Sequence, residues 1–436
     1  MSAVRRLAIL LAGLGLVGPV AADPEHPDSS LYNRRYETTR PDGTKKTVIE
    51  LAADAENGAP PPPAAPPAAP VAEAGCPCRP VFWAEADFLQ WWYRAGAIPP
   101  LVTAGSALDP VPGALAEPGT RVLYGNGPGH AEWTSGGRAR VGGWFSDSPI
   151  GWEVGGFYTV PQSESGLFRS NDIAILARPF YDAFLVTPSA LLFGAPGAFE
   201  GSITTHTRTT FWGLEANGTA ALDPSTGHVG FIGYRYLQMT DDLAIAGRYN
   251  LGPGGLAFSS GISLLPGATG LIEDRVHTRN EFNGAQLGWK YHGAYGWFGV
   301  DVRASVAVGV GSERISLAGS TQTVDADGTI RSAVGGVLVQ PSNAGQFGRD
   351  LLTVVPEAGV RLSACVAPGI SLYAGYDFLY WASVARAGDQ LDQVVDTRQM
   401  PSSGSFTGGP GFRPLSPLRD TAFWAHGFNF GVRVEY

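Results

Sequence analysis

The chain has 436 residues, a net charge of −9 and only 16% charged residues. With no basic run and with 27 Arg against three Lys, the composition reads as codon bias and excludes a nucleic-acid partner. Three cysteines exclude a disulfide framework, and no stretch approaches the ~20 apolar residues of a membrane helix.

At the N-terminus, Arg5 and Arg6 precede the apolar run Leu7–Val20, and Val20-Ala21-Ala22 offers small residues for cleavage. Residues 1–22 are expected to be a secretory signal peptide cut after Ala22. Residues 23–80 form a separate region. Its tract Ala59–Ala72 is rich in proline and alanine, which makes a semi-rigid spacer and no core, so a flexible periplasmic extension is expected. Cys76 and Cys78 follow it, and Cys365 stands beside a short turn. An oxidising periplasm could join Cys365 to Cys76 or Cys78; free or mutually bonded thiols are the alternative. No histidine stands near the pair at zinc spacing, so no metal is expected there.

From Val81 to the end, strand-like segments recur at 82–94, 138–146, 150–160, 202–218, 229–246, 274–292, 295–316, 350–366, 369–384 and 422–436. Between them long and short connections alternate. The short ones are Ser146–Pro149, Ala220–His228, His292–Tyr295 and Ala367–Gly369; the long ones span 95–137, 161–201, 247–273, 317–349 and 385–421. Short turns at one end and long loops at the other are the pattern of an outer-membrane barrel. The fold expected for 81–436 is all-β: a closed antiparallel up-and-down transmembrane β-barrel. It would have about ten strands, or twelve if the second loop hides a further pair, with both termini in the periplasm.

Alternation carries the same reading within strands. Phe298, Val300, Val302, Ala304, Val306, Val308 and Val310 share one face, and Asp301 and Arg303 the other. The aromatic pairs Trp91/Trp92 and Tyr380/Trp381 fall near strand ends, where an interfacial girdle is expected. The last strand sets Trp424, His426, Phe428, Phe430, Val432, Val434 and Tyr436 on one face. Its ending Phe428, Phe430, Val432, Val434 and Tyr436 resembles the terminal signal read by the barrel-insertion machinery. Outer-membrane lipids are the other expected partner, and an outer membrane of a Gram-negative-type envelope the expected location.

The barrel reading turns a set of charges inward. The acids are Glu85, Asp87, Glu153, Glu215, Asp301, Glu357, Asp377 and Glu435; the bases are Arg138, Arg140, Arg235, Lys290, Arg303, Arg361 and Arg433. A lumen of about ten strands is wider than the ~8-strand kind that side chains just fill, and far narrower than an open porin. Nearly balanced charges in it should pair. The expected role is a structural or surface-display barrel with a largely plugged lumen; the alternative is a small-solute channel or transporter.

Several segments taken together resemble the planctomycete family of outer-membrane β-barrel proteins abbreviated BBP, earlier known only as a domain of unknown function. They are Phe211–Asn217 (FWGLEAN), Gly233–Leu237 (GYRYL), Thr278–Gly288 (TRNEFNGAQLG), Ser342–Gly345 (SNAG), Val355–Glu357 (VPE), Gly375–Trp381 (GYDFLYW), Gly388–Asp392 (GDQLD) and Phe423–Asn429 (FWAHGFN). Where that family has Arg-Pro-Gly, this chain has Arg386-Ala387-Gly388. The resemblance implies a membrane barrel and a location, and no reaction.

Candidate chemistry is sparse. His26, His130, His206, His228, His277, His292 and His426 make no metal pair at helical or strand spacing, and no cofactor is expected. His206 and His277, with Asp274 nearby, fall near the outer rim, yet no protease or phospholipase motif accompanies them, so no enzyme is expected. Val324–Gly328 (VDADG) starts like a calcium loop but has Gly336 where the closing Glu belongs, which favours a solvated turn. Gly125–Gly129 is glycine-rich without a helix after it, which argues against phosphate binding. Gly388–Asp392 leaves the ninth strand and is expected to pack into the mouth rather than bind a cation through Asp389 and Asp392.

Overall fold

The computed structural model describes residues 32–39, 45–51, 81–128, 133–223, 225–409, 411–415 and 417–436. The chain divides into residues 1–71 and 72–436. In the first unit, Tyr32–Thr39 and Lys45–Leu51 pair as an antiparallel hairpin. The leader 1–22 with Ala22, His26, the proline-rich tract, Cys76, Cys78 and His130 lie outside the described residues.

Ten strands of the second unit close on themselves. They are β1 Phe82–Tyr93, β2 Trp133–Trp144, β3 Ile150–Thr159, β4 Phe199–Asp223, β5 His228–Leu251, β6 Thr269–Tyr295, β7 Phe298–Val324, β8 Gly345–Ala367, β9 Ile370–Val384 and β10 Thr421–Glu435. Each pairs antiparallel with the next, and β10 returns to β1 from Ala425↔Tyr93 to Glu435↔Trp83. No barrel edge is left open at this level, as a chain in hydrocarbon requires. Tight turns occupy one end. Gly296 (φ +67°) and Gly369 (φ +73°) take the left-handed backbone at the β6–β7 and β8–β9 turns, where a side chain would strain it. The β6–β7 turn is Gly296-Trp297, so His292 belongs to the strand and not to the expected turn.

β6 and β7 run 27 residues each, far beyond the ~9–11 that cross a membrane. Their faces exchange polarity part-way. On β7 the outward face is Val300, Val302, Val306, Val308 and Val310, then Ser312, Arg314, Ser316, Ser320 and Gln322. The inward face does the reverse, from Asp301, Arg303 and Ser305 to the buried Ile315 and Leu317. β6 does the same outside, from Leu287, Trp289 and Tyr291 to Arg279, His277 and Arg275. An apolar exterior needs lipid and a polar exterior needs water, so the inversion marks where the wall leaves the membrane.

Above that level the wall continues as β4–β7, with the first residues of β8 beside β7 as far as Leu317↔Gly345. Gln162–Arg169 extends it beside β4, and Ile330–Val334 extends it beside β7. The second loop therefore holds extra strands, but they pair with the protruding wall or with other loops, and the barrel stays ten-stranded. Val102–Gly105, Arg121–Tyr124, Ile175–Asp182, Thr187–Gly194 and Val394–Val395 form a separate five-stranded sheet from three different loops. It packs Leu176, Phe180 and Phe193 against Ile203, Ile245, Tyr249 and Ile272 of the wall. Loops and wall thus share one apolar core, a cap over the lumen.

The aromatic girdle differs from the expectation by one residue in each pair. Trp92 faces out against a tilted Trp133, and Tyr380 is its outward counterpart on β9, whereas Trp91 and Trp381 are buried inside at 2% and 1% exposure. Neighbours in a strand point to opposite faces, so two adjacent aromatics cannot both meet lipid.

Candidate functional site: the filled lumen

The inward charges meet in one layer at the short-turn half. Glu215 of β4 is its centre: Arg140 approaches it at 2.9 Å, Arg235 at 3.1 Å and Arg303 at 2.7 Å, while Gln286 donates at 3.1 Å. Glu153 of β3 takes Arg303 of β7 at 2.8 Å and also Lys290. Glu357 of β8 takes Arg235 at 2.6 Å and Arg140 at 3.9 Å. A second group joins Arg361 to Glu85 at 2.9 Å and to Asp87 at 3.4 Å, and Arg138 to Asp377 at 2.8 Å and to Asp87. Nearer the turns, Arg433 meets Glu435 at 2.6 Å and Glu85 at 3.3 Å, and Asp301 meets His292 at 2.7 Å. All fifteen candidate charges thus lie in one inward layer of paired groups, several bridging walls three or more strands apart. Sharing each group among several partners is what offsets the desolvation of such buried ions.

Directly above lies a layer that the charge inventory does not announce. Phe211 of β4 and Phe423 of β10 come from facing walls, and their ring centres are 5.1 Å apart. Phe157 stands 5.0 Å from Phe211 and 5.4 Å from Trp91; Tyr93 stands 5.8 Å from Phe211 and 5.5 Å from Phe423. Leu89, Leu237, Met239, Phe282, Leu379 and Trp381 complete it. Rings touching across the barrel leave no aqueous gap at this height. A sequence signal was present: on β1 the face bearing Glu85 and Asp87 continues as Leu89, Trp91 and Tyr93, and on β9 that of Asp377 continues as Leu379 and Trp381.

Polar pins then fix the cap to the wall. Asn280 of β6 grips Ala385 at both backbone atoms, donating to its carbonyl at 2.9 Å and accepting its N–H at 2.7 Å. Asp241 of β5 binds Arg386. Asp274 of β6 accepts from the N–H groups of Val337 at 3.1 Å, Leu338 at 3.3 Å and Val339 at 2.8 Å, and pairs with Arg178 at 2.5 Å. Gly388–Gln390 is a single 3₁₀ turn in the mouth with Gly388 and Gln390 buried. Beyond it, burial raises the Asp392 carboxyl, but the N–H groups of Leu415 and Val394 and the Arg413 guanidinium outweigh this and hold it below its ordinary value. Burial raises Asp389, which makes no such set of bonds. Replacing Asn280 with Ala leaves the Ala385 N–H and C=O without their partner, a cost of about 1–3 kcal/mol. Faster amide exchange confined to 385–390 is the expected reading.

The remaining candidates stay apart. Ser165 lies 2.9 Å from His206 Nδ1, and Asp242 lies 2.7 Å from His277 Nδ1. Both pairs are exposed on the convex outer face of the wall, and neither pair bonds a third catalytic type among the described residues. Among the described residues no three His, Cys, Asp or Glu side chains gather as metal ligands. Asp325–Thr329 is a tight turn closed by Asp325 N–H to the Thr329 carbonyl at 2.9 Å. Cys365 is disulfide-bonded. In β10, Phe428 and Phe430 face out and are exposed, with Tyr436 at the very end hydrogen-bonded through its backbone to Val81 and Phe82.

A model of the family described as "Putative beta barrel porin-7 (BBP7)" matches residues 83–436. No curated protein matches the chain. Among solved structures it is similar to the outer membrane protease OmpT from Escherichia coli, at 9% identity over 81% of this chain and 96% of that one, with a TM-score of 0.35. It is also similar to a FadL homologue of Pseudomonas aeruginosa, at 8% identity over 82% and 90% with a TM-score of 0.27. The P. putida toluene transporter TodX aligns at 10% identity over 81% and 89%, with a TM-score of 0.20. Likenesses of this strength carry no argument about activity.

Proposed function

The chain belongs to the BBP7 family of outer-membrane β-barrels, and from that premise we propose that it serves as a closed scaffold that displays a folded cap beyond the membrane. The observation that carries this reading is the contact of Phe211 with Phe423 across the barrel, stacked between a charge layer and a pinned cap. Three successive seals favour a structural role over passage of solutes. Bilayer conductance tests it, as set out at the end of the Discussion.

The family description contains the word porin, and that favours a second reading, a small-solute channel whose cap and aromatic layer move aside. It requires the pins at Asp241, Asp274 and Asn280 to release together. We assign no catalytic role: among the described residues neither the Ser165–His206 nor the Asp242–His277 pair bonds a third member, and no measurable hydrolysis of peptide or phospholipid substrates is expected from the folded barrel.

The ending Phe428, Phe430, Val432, Val434 and Tyr436 we assign to insertion. Truncating Tyr436 together with Phe430→Ser is expected to lower the folded, heat-modifiable fraction in cells to the smaller part of the total. The same variant refolded in detergent should reach the barrel, because it loses only the terminal bonds to Val81 and Phe82 and keeps the β10–β1 ladder from Ala425 to Glu435. Equal assembly of variant and natural chain in cells contradicts the assignment.

A further inference from the structure

The wall above the membrane, unlike the barrel below it, ends in an open edge. Gln162–Arg169 pairs with β4 on one side, and among the described residues no strand pairs with it on the other. The Ser170 N–H bonds the Gly201 carbonyl, so every second residue back to Gln162 turns its backbone to β4. Ser163, Ser165 and Leu167 turn theirs away from it, and all three residues are exposed. Their N–H and C=O groups form a row in water with no partner among the described residues. Such a row is a template for one more strand.

Beside this edge a narrow cleft of about 90 Å³ separates wall and cap. Gln162 and Glu164 of the edge strand, Thr207 and Thr209 of β4, and Ala97 and Arg386 of the cap line it. Asp241 and Arg386 neutralise each other there, and the Asp242 carboxylate turns outward to His277. Glu164 is exposed and makes no ion pair among the described residues, so it is the uncompensated charge of the lining. On the outer face the edge carries an apolar residue instead, Leu167, 48% exposed.

We propose that this edge receives an extended segment of another protein as one further antiparallel strand, with a Lys or Arg side chain opposite Glu164. Directly opposed side chains on paired strands share a face and lie about 4.5–5.5 Å apart at Cβ, so that residue points inward, to the open side of the cleft. The residue opposite Leu167 falls on the outer face, where covering the leucine favours an apolar side chain. The segment recognised therefore has an apolar residue three positions before a basic one. The charge on Glu164 admits such a segment and disfavours an acidic one. A second copy in the same membrane does not supply the strand. Barrel strands tilt by about 35–45°, so two copies turned about the membrane normal would cross their edges at about twice that angle. The site depends on the protruding wall and not on whether the lumen conducts.

Fluorescence anisotropy with the purified full chain in detergent tests this. The probe is a labelled Thr/Val-rich peptide of about ten residues with Leu three positions before Arg; its counterpart has Glu in place of the Arg. The arginine peptide is expected to bind about tenfold more tightly, the span between an opposite-charge and a like-charge cross-strand pair. Glu164→Gln should bring the two peptides to about equal affinity. Ser165→Pro removes an N–H that bonds nothing in the wall and should abolish binding of both. Ser332→Pro, the same change on the other border strand Ile330–Val334, should leave binding as it was. If Ser165→Pro folds poorly, Glu164→Gln still decides. No binding of the arginine peptide, no preference for it over the glutamate peptide, or a preference that survives Glu164→Gln overturns the proposal. Undiminished binding by folded Ser165→Pro overturns it as well. So do dimers of the natural chain that Ser165→Pro dissolves, which would make the edge a contact between copies.

Discussion

Replacing Glu215 with Leu is expected to destabilise the barrel by about 3–5 kcal/mol, the usual cost of removing one partner from a buried ion network. Glu215 is contacted by Arg140, Arg235 and Arg303, all buried in the lumen. Each keeps one other carboxylate, Glu357 for Arg140 and Arg235 and Glu153 for Arg303. The variant therefore leaves one excess positive charge spread over three buried guanidinium groups. Denaturant unfolding in micelles measures the loss. The double variant Glu215→Leu/Arg303→Leu restores the balance and should recover part of it, which a double-mutant cycle quantifies. The size of the effect distinguishes a dry lumen from a wet one. In a water-filled lumen the same substitution would cost only about 0–1 kcal/mol, as exposed pairs do.

Asp274→Ala is expected to act on the cap and spare the membrane half. It removes the acceptor for three successive N–H groups, Val337 to Val339, and strands Arg178, whose Nε and Nη1 have no protein partner. An uncompensated buried guanidinium costs about 3–5 kcal/mol, enough to open the cap locally without unfolding the barrel. Hydrogen exchange should rise by orders of magnitude over 335–344 and 175–182. Protection in β8, β9 and β10 should stay as it was. Unchanged exchange over 335–344 would show that the apolar core alone holds the cap.

What was legible in the sequence follows from the period of a strand. Alternation of two found all ten strands of the barrel, though the long wall strands run about five to eight residues past the expected ends at their outer side, and it assigned Glu215, Arg303 and Asp377 to the inner face, because neighbours in a strand must face apart. The same rule does not give height along the barrel. Phe211 and Glu215 share a face, and only the contacts across the barrel show that one meets the rings of Tyr93, Phe157 and Phe423 and the other guanidinium groups. The cap was illegible for a different reason. Its sheet pairs Tyr181 with Val394, more than two hundred positions apart, and no local pattern in either loop announces the other. The exchange of polarity on β7 between Val310 and Ser312 was readable, and it would have separated the membrane wall from the protruding one. The segments that carried the family resemblance hold the hub, Glu215 with Asn217 and Gln286, and one pin, Asn280, whereas the pins Asp241 and Asp274 fall outside them.

The account stands on a lumen closed by the aromatic layer between the charges and the cap. Planar-bilayer conductance of the purified, heat-modifiable full chain tests that most directly. Insertion without steady openings, across both polarities and in high salt, is the predicted result. Steady nanosiemens-scale openings from the natural chain would contradict it and make the barrel a channel.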